Sequence, residues 1–241
     1  MKLTTFEVIS NKKLNPTTYE IVFRTEGFLA KSGQFIDLTV RDCYLKRPFS
    51  IADYHDGLLT VLYKTVGKGT KEMTFWTKGD KAEALVELGN GFDLSKAERP
   101  LLAGGGIGCA PLYLLAKEFC AKGSKPTVLL AFRNAEEAYY IDKFSKIADV
   151  ILSTDNGCLG YQGNALDCLN YYKPKYDYYY ACGPLPMLKA YAAHSCHGQI
   201  SLEARMGCGF GACMGCSIMT TNGPKRVCKE GPVFEAGEVI F

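Results

Sequence analysis

Across roughly the first hundred residues, apolar and polar positions alternate with period two. Thr18-Tyr19-Glu20-Ile21-Val22-Phe23-Arg24 and Gln34-Phe35-Ile36-Asp37-Leu38-Thr39-Val40 both follow this pattern, as half-buried strands do because successive side chains point to opposite faces. A third run, Leu58 to Val66, is β-branched and aromatic. Turn formers separate these runs at Asn15-Pro16, Ser32-Gly33, Asp56-Gly57, Lys78-Gly79-Asp80 and Gly89-Asn90-Gly91. Short strands at such intervals predict a small antiparallel barrel, with one short helix between Gly67 and Trp76.

Past Arg99-Pro100 the rhythm changes. Leu101-Leu102-Ala103 runs into a glycine cluster, and Ala110 to Lys122 has helical character. Thr127-Val128-Leu129-Leu130-Ala131-Phe132 reads as a buried strand and Glu136 to Lys146 as a second helix. Val150-Ile151-Leu152 and Tyr178-Tyr179-Tyr180-Ala181 are further strands, with helices over 165–171 and 185–193. Strands alternating with helices predict parallel βαβ units and a doubly wound parallel sheet. From Met206 onward glycine and cysteine take over and neither period survives. Such a segment should bury little apolar surface, so something other than a core must hold it. The expected organisation is a β-barrel over 1–98, an α/β domain over 99–203 and a small cysteine-rich segment over 204–241.

Composition narrows the classes. At 241 residues, 47% hydrophobic and 22% charged, the chain is neither disordered nor collagen-like. A net charge of +3 gives no reason to expect a nucleic acid or an anionic membrane as partner. The eleven cysteines are an odd number, so complete internal pairing is impossible. Met1 to Glu7 lacks the apolar core of a secretory signal. The longest uncharged stretches, Pro100–Ala116 and Met206–Pro224, are interrupted by glycine, proline and polar residues, whereas a membrane helix needs about 20 mainly apolar residues. A cytoplasmic protein is expected, whose densely spaced cysteines serve metal or redox chemistry.

Cys208, Cys213, Cys216 and Cys228 follow the spacing C-x4-C-x2-C-x11-C. The first three match the plant-type [2Fe–2S] pattern, in which four thiolates close over two irons. Gly207, Gly209, Gly211 and Gly215 let the backbone turn tightly and aim N–H groups at the sulfurs. A four-cysteine zinc site is the competing reading. It is usually built from paired knuckles, and only Cys213 and Cys216 have that spacing here. The cysteines at 43, 109, 120, 158, 168, 182 and 196 read as small buried hydrophobes, with Cys182 set apart by its position.

Gly104-Gly105-Gly106-Ile107-Gly108-Cys109-Ala110-Pro111 lies between a predicted strand and helix. Glycines there admit a diphosphate to the helix N-terminus, although Pro111 stands where the dinucleotide fingerprint has its third glycine. Asp155-Asn156-Gly157 and Cys182-Gly183-Pro184 follow two further strands. Ligands of open α/β sheets bind at such carboxyl ends, so Gly106, Gly108, Asp155, Cys182, Gly183 and Pro184 are candidates for a nucleotide site. An acid at Asp155 would repel a 2′-phosphate, which favours NADH over NADPH. In the barrel, Arg47-Pro48-Phe49-Ser50 offers a guanidinium to a diphosphate, a proline to fix a turn and a hydroxyl to a flavin ring. Gly67-Lys68-Gly69-Thr70 offers N–H donors to the same phosphates.

The order R-P-x-S, G-x-G-T, G-G-G-x-G-x-x-P and C-G-P resembles the ferredoxin–NADP reductase superfamily, in which a flavin-binding barrel precedes a pyridine-nucleotide domain. The tail, Ser201-Leu202-Glu203-Ala204-Arg205-Met206-Gly207-Cys208 through Cys216, closed by Arg226-Val227-Cys228-Lys229-Glu230-Gly231-Pro232-Val233-Phe234, resembles the electron-transfer subunits of type B dihydroorotate dehydrogenases. The likeness spans essentially the whole chain. It implies FAD held by Arg47, Pro48, Phe49, Ser50, Leu62, Tyr63, Lys64, Gly69 and Thr70, and a [2Fe–2S] cluster on Cys208, Cys213, Cys216 and Cys228. NAD would face Gly106, Gly108 and Cys182 to Pro184. It further implies a role in pyrimidine biosynthesis. The partner would be an FMN-containing dihydroorotate dehydrogenase catalytic subunit, in a heterotetramer of two copies of each, with electrons passing from that FMN through cluster and FAD to NAD+. No acid or base is assigned to this chain.

There are departures: Cys109 in the glycine loop, and Val86-Glu87-Leu88-Gly89 where Gly-Pro-Leu-Gly is expected. One alternative keeps the chemistry and changes the partner, to that of a sulfhydrogenase, an anaerobic sulfite reductase or a bifurcating transhydrogenase. Another, of a different class, is a zinc-stabilised nucleotide-binding regulator.

Overall fold

The computed structural model describes every residue from Met1 to Phe241. Six strands come first: β1 (Lys2–Lys13), β2 (Thr18–Arg24), β3 (Phe35–Leu38), β4 (Arg47–His55), β5 (Leu58–Lys64) and β6 (Lys81–Leu88). They close into a barrel in the order β1-β2-β5-β4-β3-β6, with β6 pairing back onto β1 from Lys2↔Val86 to Glu7↔Lys81. Closure removes the open edges that an antiparallel sheet would otherwise expose. Phe6, Val8, Ile21, Phe23, Ile36, Leu38, Ile51 and Val61 fill the interior and are all buried. Each contributes about 1.5–3 kcal/mol relative to exposure. Helix α1 (Lys68–Glu72) and a 3-10 turn (Met73–Phe75) follow β5, where the sequence predicts one short helix.

The second half alternates strands β7 (Pro100–Gly105), β8 (Thr127–Phe132), β9 (Asp149–Thr154), β10 (Tyr161–Gln162), β11 (Tyr178–Cys182) and β12 (Gly198–Ser201) with four helices. These are α2 (Pro111–Ala121), α3 (Ile141–Ser145), α4 (Ala165–Tyr172) and α5 (Leu185–His194). The strands are parallel, in the order β10-β9-β8-β7-β11-β12. Alternate residues feed opposite faces. Leu102, Val128, Leu130 and Tyr180 pack with Leu112, Leu115 and Phe119 of α2 and Phe144 of α3. Leu101, Ala103, Leu129, Tyr179 and Ala181 pack with Leu169 of α4 and with Leu188 and Tyr191 of α5. Coverage on both faces is what a parallel sheet requires. The second predicted helix shortens to α3, preceded by a 3-10 turn at Ala135–Glu137.

The remaining strands are β13 (Ser217–Thr220), β14 (Gly223–Arg226) and β15 (Val233–Glu235). Contrary to the expectation for this segment, Cys216, Val227, Cys228, Phe234 and Ala236 are buried and join the core under α4 and α5, while Val233 joins the core that α2 and α3 cover. β15 pairs antiparallel with β12 as the outer strand of the main sheet, Ser201↔Val233 to Gln199↔Glu235. Polar ties lock the barrel to the sheet. Lys117 Nζ donates to Asp53 at 2.6 Å, Lys143 to Glu20 at 2.7 Å and Lys64 to Glu137 at 2.7 Å, and Ser32 Oγ donates to Glu118. No helix is long and apolar enough to cross a membrane.

Candidate functional site

Two clefts meet between barrel and sheet. The smaller, about 380 Å³, is lined by Arg47, Pro48, Phe49, Ser50, Leu62, Tyr63, Lys64 and Thr70 from the barrel side. The R-P-x-S motif opens strand β4, and Pro48 faces Asp37 in the β3–β4 ladder. Pro48 therefore begins a strand instead of fixing a turn, near the strand start where proline is tolerated. Arg47 donates through one guanidinium nitrogen to the carbonyls of Leu45 at 2.6 Å and Lys46 at 3.2 Å. Gly69 does not line the cleft but backs Arg47: a Cβ there would come within 2.9 Å of Arg47 Nε. Thr70 Oγ1 accepts from the N–H groups of Val66 and Gly67, which pins the loop. The Tyr63 hydroxyl donates inward to Asn11 Oδ1 at 3.1 Å and so is not free for a ligand. The motif's cation and a loop kept free of side chains at Gly67 and Gly69 form a cradle suited to a diphosphate.

The larger cleft, about 710 Å³, lies over the carboxyl ends of the sheet. The chain runs outward from β7 to β8 and β9 on one side, and to β11 and β12 on the other. The crevice between β7 and β11 is thus the topological switch point where such sheets bind ligands. Gly106, Asp155, Gly183 and Pro184 all line this cleft. Gly108 lines the smaller cleft, and its glycine has a packing cause: a Cβ would meet the carbonyl of Cys182 and lie 2.6 Å from Gly183 Cα. Cys182 itself is buried in the sheet. Burial, and after it the nearby Glu203, pushes its thiol well above the ordinary range. Burial likewise pushes Cys109 up to about 12. Both thiols stay protonated and behave as apolar packing groups.

Lys64, Ile107 and Glu203 line both clefts and mark where they join. Glu203 and Ile107 were not picked out as site residues from the sequence, although each adjoins a motif that was. The carboxyl of Glu203 makes no ion pair, and desolvation by the surrounding protein holds it above the ordinary carboxylate range. Asn164 and Asp167, at the start of α4, also line the larger cleft, as do Asp155 and Arg133. No local signal identified them, because only the fold brings α4 to the ends of β8 and β9.

The four clustered cysteines stand as two pairs. Cys216 and Cys228 Sγ atoms are 3.2 Å apart and buried. Cys208 Sγ accepts from the N–H groups of Ala212 at 3.2 Å and Cys213 at 3.4 Å. Although burial pushes the Cys208 thiol up, these N–H donors and that of Phe210, together with the Cys213 side chain, outweigh it and bring it to about 6. That donor set suits an anionic sulfur. No three of the chain's His, Cys, Asp or Glu side chains converge on one point that a single ion could occupy. Two thiol pairs, each near the other, are what a two-iron cluster uses, two ligands to each iron.

A solved structure described as an NADH-dependent reduced ferredoxin–NADP oxidoreductase, reported for flavin-based electron bifurcation, is 26% identical. It superposes with a TM-score of 0.89 over 98% of this chain and 89% of that one. Phthalate dioxygenase reductase shares the fold, with a TM-score of 0.67 at 16% identity over 84% of this chain and 70% of that one. Barrel, switch-point cleft and these likenesses together define a flavin-type reductase of the ferredoxin–NADP reductase fold. Residues 203–240 match the family model for the iron-sulfur cluster binding domain of dihydroorotate dehydrogenase B. The chain is 38% identical to the dihydroorotate dehydrogenase B (NAD(+)) electron transfer subunit of Caldanaerobacter subterraneus over 97% of each, and 38% identical to that of Fusobacterium nucleatum over 99% of each. This chain belongs to the family of dihydroorotate dehydrogenase B electron transfer subunits.

Proposed function

We propose that residues 1–98 hold FAD, residues 99–203 hold NAD and residues 204–241 hold a [2Fe–2S] cluster on Cys208, Cys213, Cys216 and Cys228. The observation that carries this reading is the junction of the two clefts at Lys64, Ile107 and Glu203. A dinucleotide in the larger cleft would there meet a ring bound in the smaller one. When bound, a flavin exchanges hydride pairs for single electrons, which suits it to stand between a nicotinamide and an iron–sulfur cluster.

The chain's own residues bind and orient. Arg47 and the loop Gly67 to Thr70 take the FAD diphosphate, and Pro48, Phe49, Ser50, Leu62, Tyr63 and Lys64 wall the ring. Gly106 and the Gly183-Pro184 turn take the NAD diphosphate. Gly108 and Cys182 close the floor between the clefts and keep water from it. Asp155 and Asp167, which both line the larger cleft, would repel a 2′-phosphate, which favours NAD over NADP. Glu203 stands beside the junction and orients the carboxamide end of the dinucleotide.

The partner is an FMN-containing catalytic subunit that oxidises dihydroorotate, in a heterotetramer with two copies of each chain. Eleven unpaired cysteines suit a reducing cytoplasm. The test is anaerobic purification of the chain with its co-purifying subunit, followed by quantification of FAD, iron and acid-labile sulfide. One FAD with two irons and two sulfides per chain, and NAD reduction by dihydroorotate, is the expected outcome. Zinc without sulfide, or a partner that handles sulfite or hydrogen, would sink it.

A further inference from the structure

Arg226 is the last residue of β14 and pairs with Ser217, the residue after Cys216. Its carbonyl accepts from the N–H groups of Lys229, Glu230 and Gly231 at 3.1, 2.9 and 3.3 Å, forming the turn that carries Cys228. The Glu230 carboxylate folds back over this turn. It accepts from Arg226 N at 2.7 Å and Nε at 3.0 Å, and from a terminal guanidinium nitrogen through its other oxygen. The other terminal nitrogen, Nη1, donates to Gly211 O at 2.6 Å. Gly211 lies between Cys208 and Cys213, and a Cβ there would stand 2.9 Å from Lys229 Cβ and 3.3 Å from Arg226 Nη1. One planar fork therefore ties the loop of Cys208 and Cys213 to the turn of Cys228.

We infer that Arg226, aimed by Glu230, is a positioning residue that sets the spacing between the two thiol pairs and fixes a positive charge beside the bound cluster. Arginine suits this task because its guanidinium is always charged and its donors lie in a rigid fork. Reduction adds negative charge to an iron–sulfur cluster, and potentials follow local charge and hydrogen bonding. A cation there favours the reduced form, offset in part by the Glu230 carboxylate paired with it. Lysine would keep the charge but could not hold Glu230 and Gly211 in one plane.

The inference rests on the cluster reading proposed above, and the experiment separates the two. The complex is prepared anaerobically with R226Q, R226K or E230Q in this chain. Iron and sulfide content, the EPR spectrum after dithionite reduction, the cluster midpoint potential and the rate of iron loss to bipyridyl are measured, with FAD content as the check on folding. R226Q is expected to lower the potential, alter the EPR line shape and release iron at least about tenfold faster, as loss of the charge-assisted hydrogen bond to Gly211 O predicts on its own. R226K is expected to restore most of the potential but not the rate of iron loss. Wild-type spectra, potential and release rate in both Arg226 variants would overturn the inference and leave the cluster reading intact. If R226Q does not retain FAD, E230Q decides. A faster release with altered EPR supports the inference, and wild-type behaviour overturns it. Wild-type protein with zinc and no sulfide would overturn both.

Discussion

Asn90, in the turn after β6, provides a quantitative test of how the C-terminal segment is attached to the barrel. Its Nδ2 donates to Val233 O at 2.7 Å and Glu230 O at 3.1 Å, and its Oδ1 accepts from Val233 N at 3.0 Å. The backbone bond from Asn90 N to Gly231 O at 2.7 Å does not depend on the side chain. Asn90→Ala removes the three side-chain bonds, each with a net value of about 1 ± 0.5 kcal/mol, so the expected loss is about 3 kcal/mol. For a chain of this size about 1 kcal/mol lowers Tm by roughly 2–4 °C, giving a fall of about 6–12 °C. Asn90→Asp should cost more than Asn90→Ala despite its near-identical volume, because a carboxylate oxygen would then face the Val233 and Glu230 carbonyls. The assay is thermal unfolding of the FAD-loaded protein, with limited proteolysis between 204 and 232 as the local readout. An Asn90→Asp variant as stable as wild type, or an Asn90→Ala variant within 2 °C of it (about the shift from 1 kcal/mol), would refute the hydrogen-bond argument.

Three further outcomes are expected. Gly108→Ala places a methyl 2.6 Å from Gly183 Cα, where carbon atoms ordinarily sit about 3.5–4.0 Å apart. The loop must yield by about 1 Å at a cost of about 1–3 kcal/mol, seen as a lower Tm and a raised KM for NADH; an unchanged Tm would argue against the packing role. Arg47→Ala should weaken FAD binding about 10- to 150-fold, from about 1.5–3 kcal/mol of charge-assisted hydrogen bonding. Flavin fluorescence titration of apoprotein measures this, and an unchanged Kd would exclude Arg47 from the diphosphate site. For Glu20, burial pushes the carboxyl up, but hydrogen bonds from Lys143 and Tyr140 outweigh it and leave it below its ordinary 4.5. A lowered folded value means stability present above about pH 4.5 and lost as pH falls through that lower value. Glu20→Gln should therefore reduce stability at pH 7 and flatten the acid limb of a urea midpoint-versus-pH curve; parallel curves would contradict the assignment.

The parts legible in the sequence are those where one local period persists. β2 coincides with its predicted run because its alternate positions keep one buried face, and β8 because an unbroken apolar run suits a strand covered on both faces. β1 was invisible: over Lys2–Lys13 only Phe6 and Val8 are buried, so its partners, not its own pattern, make it a strand. β13, β14 and β15 are too short to show a period. For that reason their pattern does not announce the burial of Val233 and Phe234, and the last segment reads as coreless. The thiol spacing and the glycine-bearing strand ends were readable because backbone geometry demands particular residues at fixed offsets. Glu203, Asn164 and Asp167 were not, since their nearness to the clefts depends on which helix and strand the fold brings alongside.

Ser201 and Val233 face one another in a single antiparallel ladder, and Leu202 N donates to Pro232 O at 2.9 Å. The chain between them therefore departs from the sheet and comes back to its point of departure. In topological terms residues 202–232 are an insertion between two neighbouring strands, the outer one and the one beside it, and not a tail. Such an excursion can be lengthened, shortened or exchanged without shifting any register in β7 to β12, and the closure penalty grows only slowly with its length. The constraint on this excursion is therefore packing, at Cys216, Val227 and Cys228, and not strand register. Hydrogen exchange should find the excursion opening as a separate foldon while the parallel strands stay protected.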